Sequence, residues 1–186
     1  EQVKIEGTTY HRLDMYGAPN CGKIGEPRLP AQGARILIPY GAEVTSIEVF
    51  GEKVYLGEYL IEPVPPQVKL NGLPTEPVVA KPNEQIYKSD QPFPGYLYED
   101  IGVQVFRGYG ISTLRLQPVQ WTPATGELYY YSRLTVVINT VDARKEYSTF
   151  RGLDIDAAEA RTKVDNPEVV DSYKAAGKRA DRIFDL

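Results

Sequence analysis

Cys21 and His11 are the only thiol and imidazole in the chain, so any thiol–imidazole couple must be built from them. A cysteine nucleophile needs a nearby base. His11 lies inside a strand pattern and Cys21 in a turn beside Gly22, which reads as a strand histidine and an incidental loop thiol. A single cysteine cannot form an internal disulfide. One His and one Cys fall short of a four-ligand zinc site. Asp154, Asp156 and Glu159 could offer oxygens to calcium, but the glycine and twelfth-position glutamate of an EF-hand loop are missing. These acids are therefore expected to form a solvated segment. No glycine-rich loop with a lysine is present to cradle a phosphate, and Gly108-Tyr109-Gly110 is expected to mark a bulge. Tyr129-Tyr130-Tyr131 could stack against sugar rings. In a strand, Tyr129 and Tyr131 face one side and Tyr130 the other, so sheet packing explains them as well. No catalytic residue, metal or cofactor is expected.

The elements that hold these residues read as strands up to about residue 142. Tyrosine (14) and proline (15) are abundant, and turn formers recur between alternating apolar runs. Val3 and Ile5 alternate with charges, and alternation continues through Tyr10–Tyr16. Residues 35–39 form a short apolar strand stopped by Pro39. Val44, Ile47, Val49 and Phe50 form the next, with a turn expected at Gly51-Glu52 and a parity change at Gly57 that predicts a bulge. Eight prolines puncture residues 63–95, which are expected to make a long surface excursion, with short edge strands open at 67–70 and 84–87. Strand signals resume at Gly102. Residues 121–127 predict a hairpin connection with Gly126 at positive φ, and residues 128–139 predict the longest strand. The chain is therefore read as all-β, an antiparallel β-sandwich of jelly-roll type.

Composition shifts after about residue 141. Nine of the 21 basic and nine of the 25 acidic residues fall in 143–186. Asn166-Pro167-Glu168 is a helix start, with Asn as N-cap and Pro at the first helical position. Val169, Tyr173, Ala176, Ala180 and Ile183 then recur on one helical face. The expected organisation is a β-sandwich over 1–142 and a mostly helical, solvated connector over 143–186.

At 186 residues the chain suffices for one domain that can bury roughly 70% of its unfolded surface. A net charge of −4 does not suggest a nucleic-acid partner. No apolar run approaches the roughly 18 residues of a membrane span. The chain begins Glu1-Gln2-Val3-Lys4 without a signal peptide, which leaves a cytosolic protein or one with its leader removed.

Four pieces in a fixed order carry a resemblance. They are Gly25-Glu26-Pro27-Arg28-Leu29-Pro30 with the run Ile36-Leu37-Ile38-Pro39; Leu56-Gly57-Glu58-Tyr59; Pro118-Val119-Gln120-Trp121-Thr122-Pro123-Ala124-Thr125-Gly126-Glu127-Leu128; and the valine-rich Leu134–Ile138. Over residues 1–142 this pattern resembles the N-terminal propeptide of gingipain-type cysteine peptidases. The resemblance implies a secreted or cell-surface, non-catalytic propeptide. It implies latency of a caspase-like catalytic domain C-terminal to this chain, by cover of its active-site cleft, and assistance to its folding. In that family a basic prodomain residue enters the specificity pocket. Lys88, in the proline-rich excursion, and Arg107, beside Gly108, are the candidates here. Arg144, Arg151, Arg161, Lys178 and Arg179 are candidates for the processing region. A non-catalytic β-sandwich module that binds carbohydrate or protein is the alternative.

Overall fold

The computed structural model describes residues 1–66 and 80–174. It is mostly β, with antiparallel sheets. Residues 67–70, one of the two open edge-strand positions, and Ala176, Ala180 and Ile183 of the expected helical face lie outside the described residues.

β1 (Gln2–Ile5) and β2 (Thr8–His11) form a hairpin in which Ile5 pairs with Thr8. Glu6 and Gly7 make its two-residue turn, both at positive φ (46° and 84°), the type I′ geometry whose twist matches paired strands. β2 stops at His11, earlier than the alternation suggested. β3 (Asn20–Cys21) pairs with β4 (Leu29–Pro30), so Cys21 lies in a short strand and not in a turn. β5 (Gln32–Leu37), β8 (Tyr109–Leu116) and β7 (Tyr98–Phe106) form one three-stranded sheet in that order. β6 (Gly41–Glu58), β10 (Glu127–Lys145) and β9 (Val119–Thr122) form another.

Three local expectations are corrected. β6 runs unbroken through Gly51-Glu52, where a turn was expected. Gly51 is needed for a close approach: a Cβ there would sit 2.1 Å from the Arg133 carbonyl oxygen. Residues 84–87 are not an edge strand. They are the helical turn α1 (Glu84–Tyr87), because the Asn83 side chain accepts from the amides of Gln85 and Ile86 and so caps it. Arg107-Gly108 is not a bulge but the two-residue turn of the β7–β8 hairpin, with φ of 50° and 87°. Other features fall where expected. The β9–β10 hairpin pairs Thr122 with Glu127, and Gly126 has φ of 75°.

The chain divides into two compact units. The first comprises Glu1–Gln32, Gly51–Leu97 and Leu116–Leu134. Its core is Leu29, Ile61, Val119, Trp121 and Leu128, with Tyr59, Tyr87 and Phe93 packed against it. Trp121 is fully buried and its Nε1–H donates to the Tyr59 carbonyl at 2.8 Å. Glu62, also buried, accepts from Arg12 (2.7 and 3.0 Å) and Arg28 (2.8 Å). A buried carboxylate is tolerable when paired in this way.

The second unit comprises Gly33–Phe50, Tyr98–Arg115 and the chain from Thr135 onward. Its core is Leu37, Tyr109 and Ile111 together with Ala157, Ala160, Val170 and Tyr173. Among the described residues after 142, then, Asp156, Ala157, Ala160, Val170 and Tyr173 are buried and not solvated. α2 (Asp154–Arg161) supplies Ala157 and Ala160 of this core, and a 3₁₀ turn (Pro167–Val170) supplies Val170. The physical reason is that Leu37, Tyr109 and Ile111 leave an apolar face that alanines and Val170 can approach closely.

Candidate functional site

Lys88 closes α1, and its side chain is 74% exposed. Its ammonium donates to Glu84 at 2.7 Å, one turn earlier, and this pair holds the Glu84 carboxyl below its usual range. Exposed pairs of this kind are screened by water and restrain a side chain little. Lys88 can therefore leave α1 without leaving a buried charge behind.

Arg107 is in a different situation. Its backbone is held by the hairpin turn, and a Cβ on Gly108 would meet the Phe150 backbone at 2.3 Å, so only glycine fits there. Its guanidinium donates to Asp156 Oδ1 at 2.8 Å and pairs with Glu159 Oε2 at 2.9 Å. Asp156, in the first turn of α2, is 1% exposed. It also accepts from Arg151 Nε at 2.9 Å and Arg151 Nη2 at 2.6 Å. Hydrogen bonds from Arg151, then from Arg107, hold its carboxyl below the ordinary 3.8. The expectation of a solvated acidic segment at Asp154, Asp156 and Glu159 is thus corrected at Asp156. The reason is that a buried carboxylate with two guanidiniums is neutralised where it stands.

The remaining processing candidates differ among themselves. Arg144 lies near the end of β10 at φ of 49°, its N–H bonded to Asp142 Oδ1. Arg161 ends α2 and donates to Asp171 at 2.6 Å. Arg151 lies in an exposed stretch without regular structure. Lys178 and Arg179 lie outside the described residues.

The segment from 165 to 173 is bound to β5 and the residues after it. Asp165 N–H donates to the Arg35 carbonyl (2.8 Å), and Asp165 Oδ2 accepts from Arg35 N–H (2.7 Å). Asn166 accepts from Leu37 N–H (2.7 Å) and donates to the Leu37 carbonyl (3.0 Å). Its side chain does not cap the following turn, as expected from Asn166-Pro167, but covers the edge of β5. Tyr173 OH donates to the Ile38 carbonyl (2.9 Å) and accepts from Gly110 N–H (3.1 Å); burial pushes its hydroxyl up to about 12.

His11 packs edge-on against Tyr59, its Nδ1 buried with no hydrogen-bond partner among the described residues, and Cys21 Sγ faces the Pro19 carbonyl at 3.6 Å. Among the described residues no cluster of His, Cys, Asp or Glu could hold a metal. Tyr129 and Tyr131 line a cavity of about 340 Å³ with Lys53, Gln91, Tyr96 and Gln120. No helix among the described residues is long and apolar enough to cross a membrane.

Asp156, Glu62 and Asn166 were not legible as structural centres. Their most distant partners, Arg107, Arg12 and Leu37, are 49, 50 and 129 residues away. The local signals are Arg151, five residues before Asp156, and the three-residue spacing of Asp156 and Glu159, which puts both on one helix face.

Fold and side-chain organisation together define an antiparallel β module whose buried charges serve to hold its own segments. Residues 1–168 match the family model Propeptide_C25, and the chain belongs to that family, the non-catalytic propeptides of gingipain-type cysteine peptidase zymogens. Two solved structures share the fold. The complex of Porphyromonas gingivalis RgpB pro- and mature domains aligns with a TM-score of 0.68 and 16% identity, over 90% of this chain and 85% of that one. The gingipain K structure from Porphyromonas gingivalis, described as an insight into zymogenic latency, aligns with a TM-score of 0.59 and 22% identity, over 77% of this chain and 81% of that one. A search of curated proteins finds no match.

Proposed function

We propose that this domain keeps a gingipain-type cysteine peptidase latent by covering its active-site cleft, and assists its folding. The family membership of residues 1–168 carries the reading. The partner is the catalytic domain, placed C-terminal to this chain and exported with it. Tethering gives such a cover a high effective concentration at the cleft. In this reading the segment 143–186 leads toward it and carries the processing region, with Arg144, Arg151, Arg161, Lys178 and Arg179 as its candidates.

Lys88 and Arg107 are both proposed as residues entering the specificity pocket, and their surroundings rank them. Extending Lys88 breaks one exposed pair, whereas extending Arg107 strips Asp156 and Glu159 of a partner. Lys88 is the better anchor on that ground. The jelly-roll-like sandwich belongs to the same proposal, supported by the antiparallel sheets. An experimental structure in which those strands close into a barrel would remove it.

The test is inhibition in trans. The isolated domain, titrated against its mature peptidase, is expected to inhibit, and Lys88→Ala to weaken inhibition by about 2 kcal/mol or more, as for a residue filling a deep pocket. Absence of inhibition at large molar excess would remove the latency model. Unchanged inhibition by Lys88→Ala and Arg107→Ala would leave steric cover without an anchor.

A further inference from the structure

Proteases act on exposed chain that is free of helix and sheet, because such segments open at little cost. An enzyme that cleaves after arginine must in addition take the guanidinium into its specificity pocket. The described arginines of the tail meet these two demands unequally. Arg144 sits in β10 and Arg161 in α2, so their backbones are committed. Arg151, Gly152 and Leu153 are exposed and without regular structure. Among the described residues no backbone hydrogen bond involves Arg151 or Gly152. The backbone at Arg151–Gly152 is therefore available. Its side chain is not: although 56% exposed, it is held by two hydrogen bonds, at 2.6 and 2.9 Å, on a carboxylate that is 1% exposed.

We propose that the Arg151–Gly152 bond is a latent cleavage site for an endopeptidase of arginine specificity, masked by Asp156. To occupy a specificity pocket, Arg151 must give up a bidentate, charge-assisted pair. Asp156 is then left with Arg107 as its one remaining guanidinium partner. Hydrogen bonds to charged groups are strong enough to suppress the free side chain on the order of tenfold to a hundredfold. The mask is local: it acts on the side chain and leaves the backbone unpaired. Cleavage at this bond thus reports on the Asp156 cluster. The inference goes beyond the latency reading and stands or falls without it, because the probe is trypsin.

The experiment is limited trypsin digestion of the full chain, with the rate at each bond followed by intact mass. Three variants decide it. Arg151→Lys keeps a trypsin site but cannot form the bidentate pair. Asp156→Asn removes the charge that holds Arg151. Arg107→Gln removes the other partner of Asp156 and leaves the Arg151 pair in place. The expected result is at least about tenfold faster cleavage after residue 151 in Arg151→Lys and Asp156→Asn, relative to the wild-type chain. Cleavage after Arg161 and Lys163 should stay within about twofold, as should cleavage after Arg151 in Arg107→Gln, since neither tests the mask. An unchanged rate after residue 151 in either of the first two variants would overturn the proposal. So would an equal rise at Arg161 and Lys163, or a rise in Arg107→Gln matching that in Asp156→Asn, because general loosening of α2 would then explain the cleavage.

Discussion

The two units build their cores from different stretches of chain. In the first, Leu29, Ile61, Val119, Trp121 and Leu128 all come from strands, turns and bridges within residues 1–134. In the second, Ala157, Ala160, Val170 and Tyr173 arrive from the end of the described chain to meet Leu37, Tyr109 and Ile111. The first core draws Trp121, Val119 and Leu128 from one hairpin and adds Leu29 and Ile61 from earlier in the chain. A core closed by the tail needs residues more than a hundred positions away from β5. A charged, strand-poor tail can thus be part of a folded unit, provided its few apolar and small residues share one face.

Truncation after Lys145 should break the contrast most severely. Each large buried side chain contributes roughly 1.5–3 kcal/mol. Losing Val170, Tyr173 and both alanines together removes a sizeable part of a typical stability of about 5–15 kcal/mol. Hydrogen exchange is expected to accelerate at Tyr109–Leu114 and to change far less at Val119–Thr122. Equal acceleration in both stretches would show that the two cores do not stand separately. Trp121→Ala is expected to cost about 3–5 kcal/mol in denaturant unfolding, from the lost ring and the cavity left behind. A cost under 1 kcal/mol would mean that the first core is not closed by this residue.

Smaller effects sharpen the comparison within the second unit. Tyr173→Phe keeps the ring but leaves the Ile38 carbonyl and Gly110 N–H without their partner, for about 1–3 kcal/mol. Stability equal to wild type would mean that packing alone holds Tyr173. The smallest effect is in pH. The Asp156 carboxyl is depressed below 3.8 by Arg151 and Arg107. Its stabilisation is therefore fully present above the unfolded value and lost as pH falls through the lower folded value. Asp171, depressed by Lys174 and Arg161, acts in the same direction. Unfolding curves between about pH 5 and pH 2 should fall less steeply for Asp156→Asn than for wild type. Parallel curves would place the acid sensitivity elsewhere.

Local rules sufficed where structure is local. The alternation in 128–139, the Gly126 turn and the positions of Trp121 and Leu128 belong to one hairpin, and hairpin geometry follows from a few adjacent residues. The family pattern over residues 1–142 was legible for the same reason, since turn and strand-end residues stand in order along the chain. Lys88 and Arg107 were visible only as basic residues in suggestive places. What separates them, an exposed pair against a buried carboxylate, exists only once α2 lies against the β7–β8 turn. Gly51 admits a neighbouring carbonyl where a turn is expected, because a glycine that ends a strand and one that makes room for a backbone look identical in one dimension. Asn166-Pro167 has the local signature of a cap, and the Leu37 backbone that the Asn166 side chain binds instead is 129 residues away. The sequence by itself determined an antiparallel β chain of the propeptide family, because period, turn chemistry and motif order are short-range properties. Only the tertiary structure decided that the tail completes a core and that Asp156 collects two arginines, because burial and charge pairing depend on which distant segments meet.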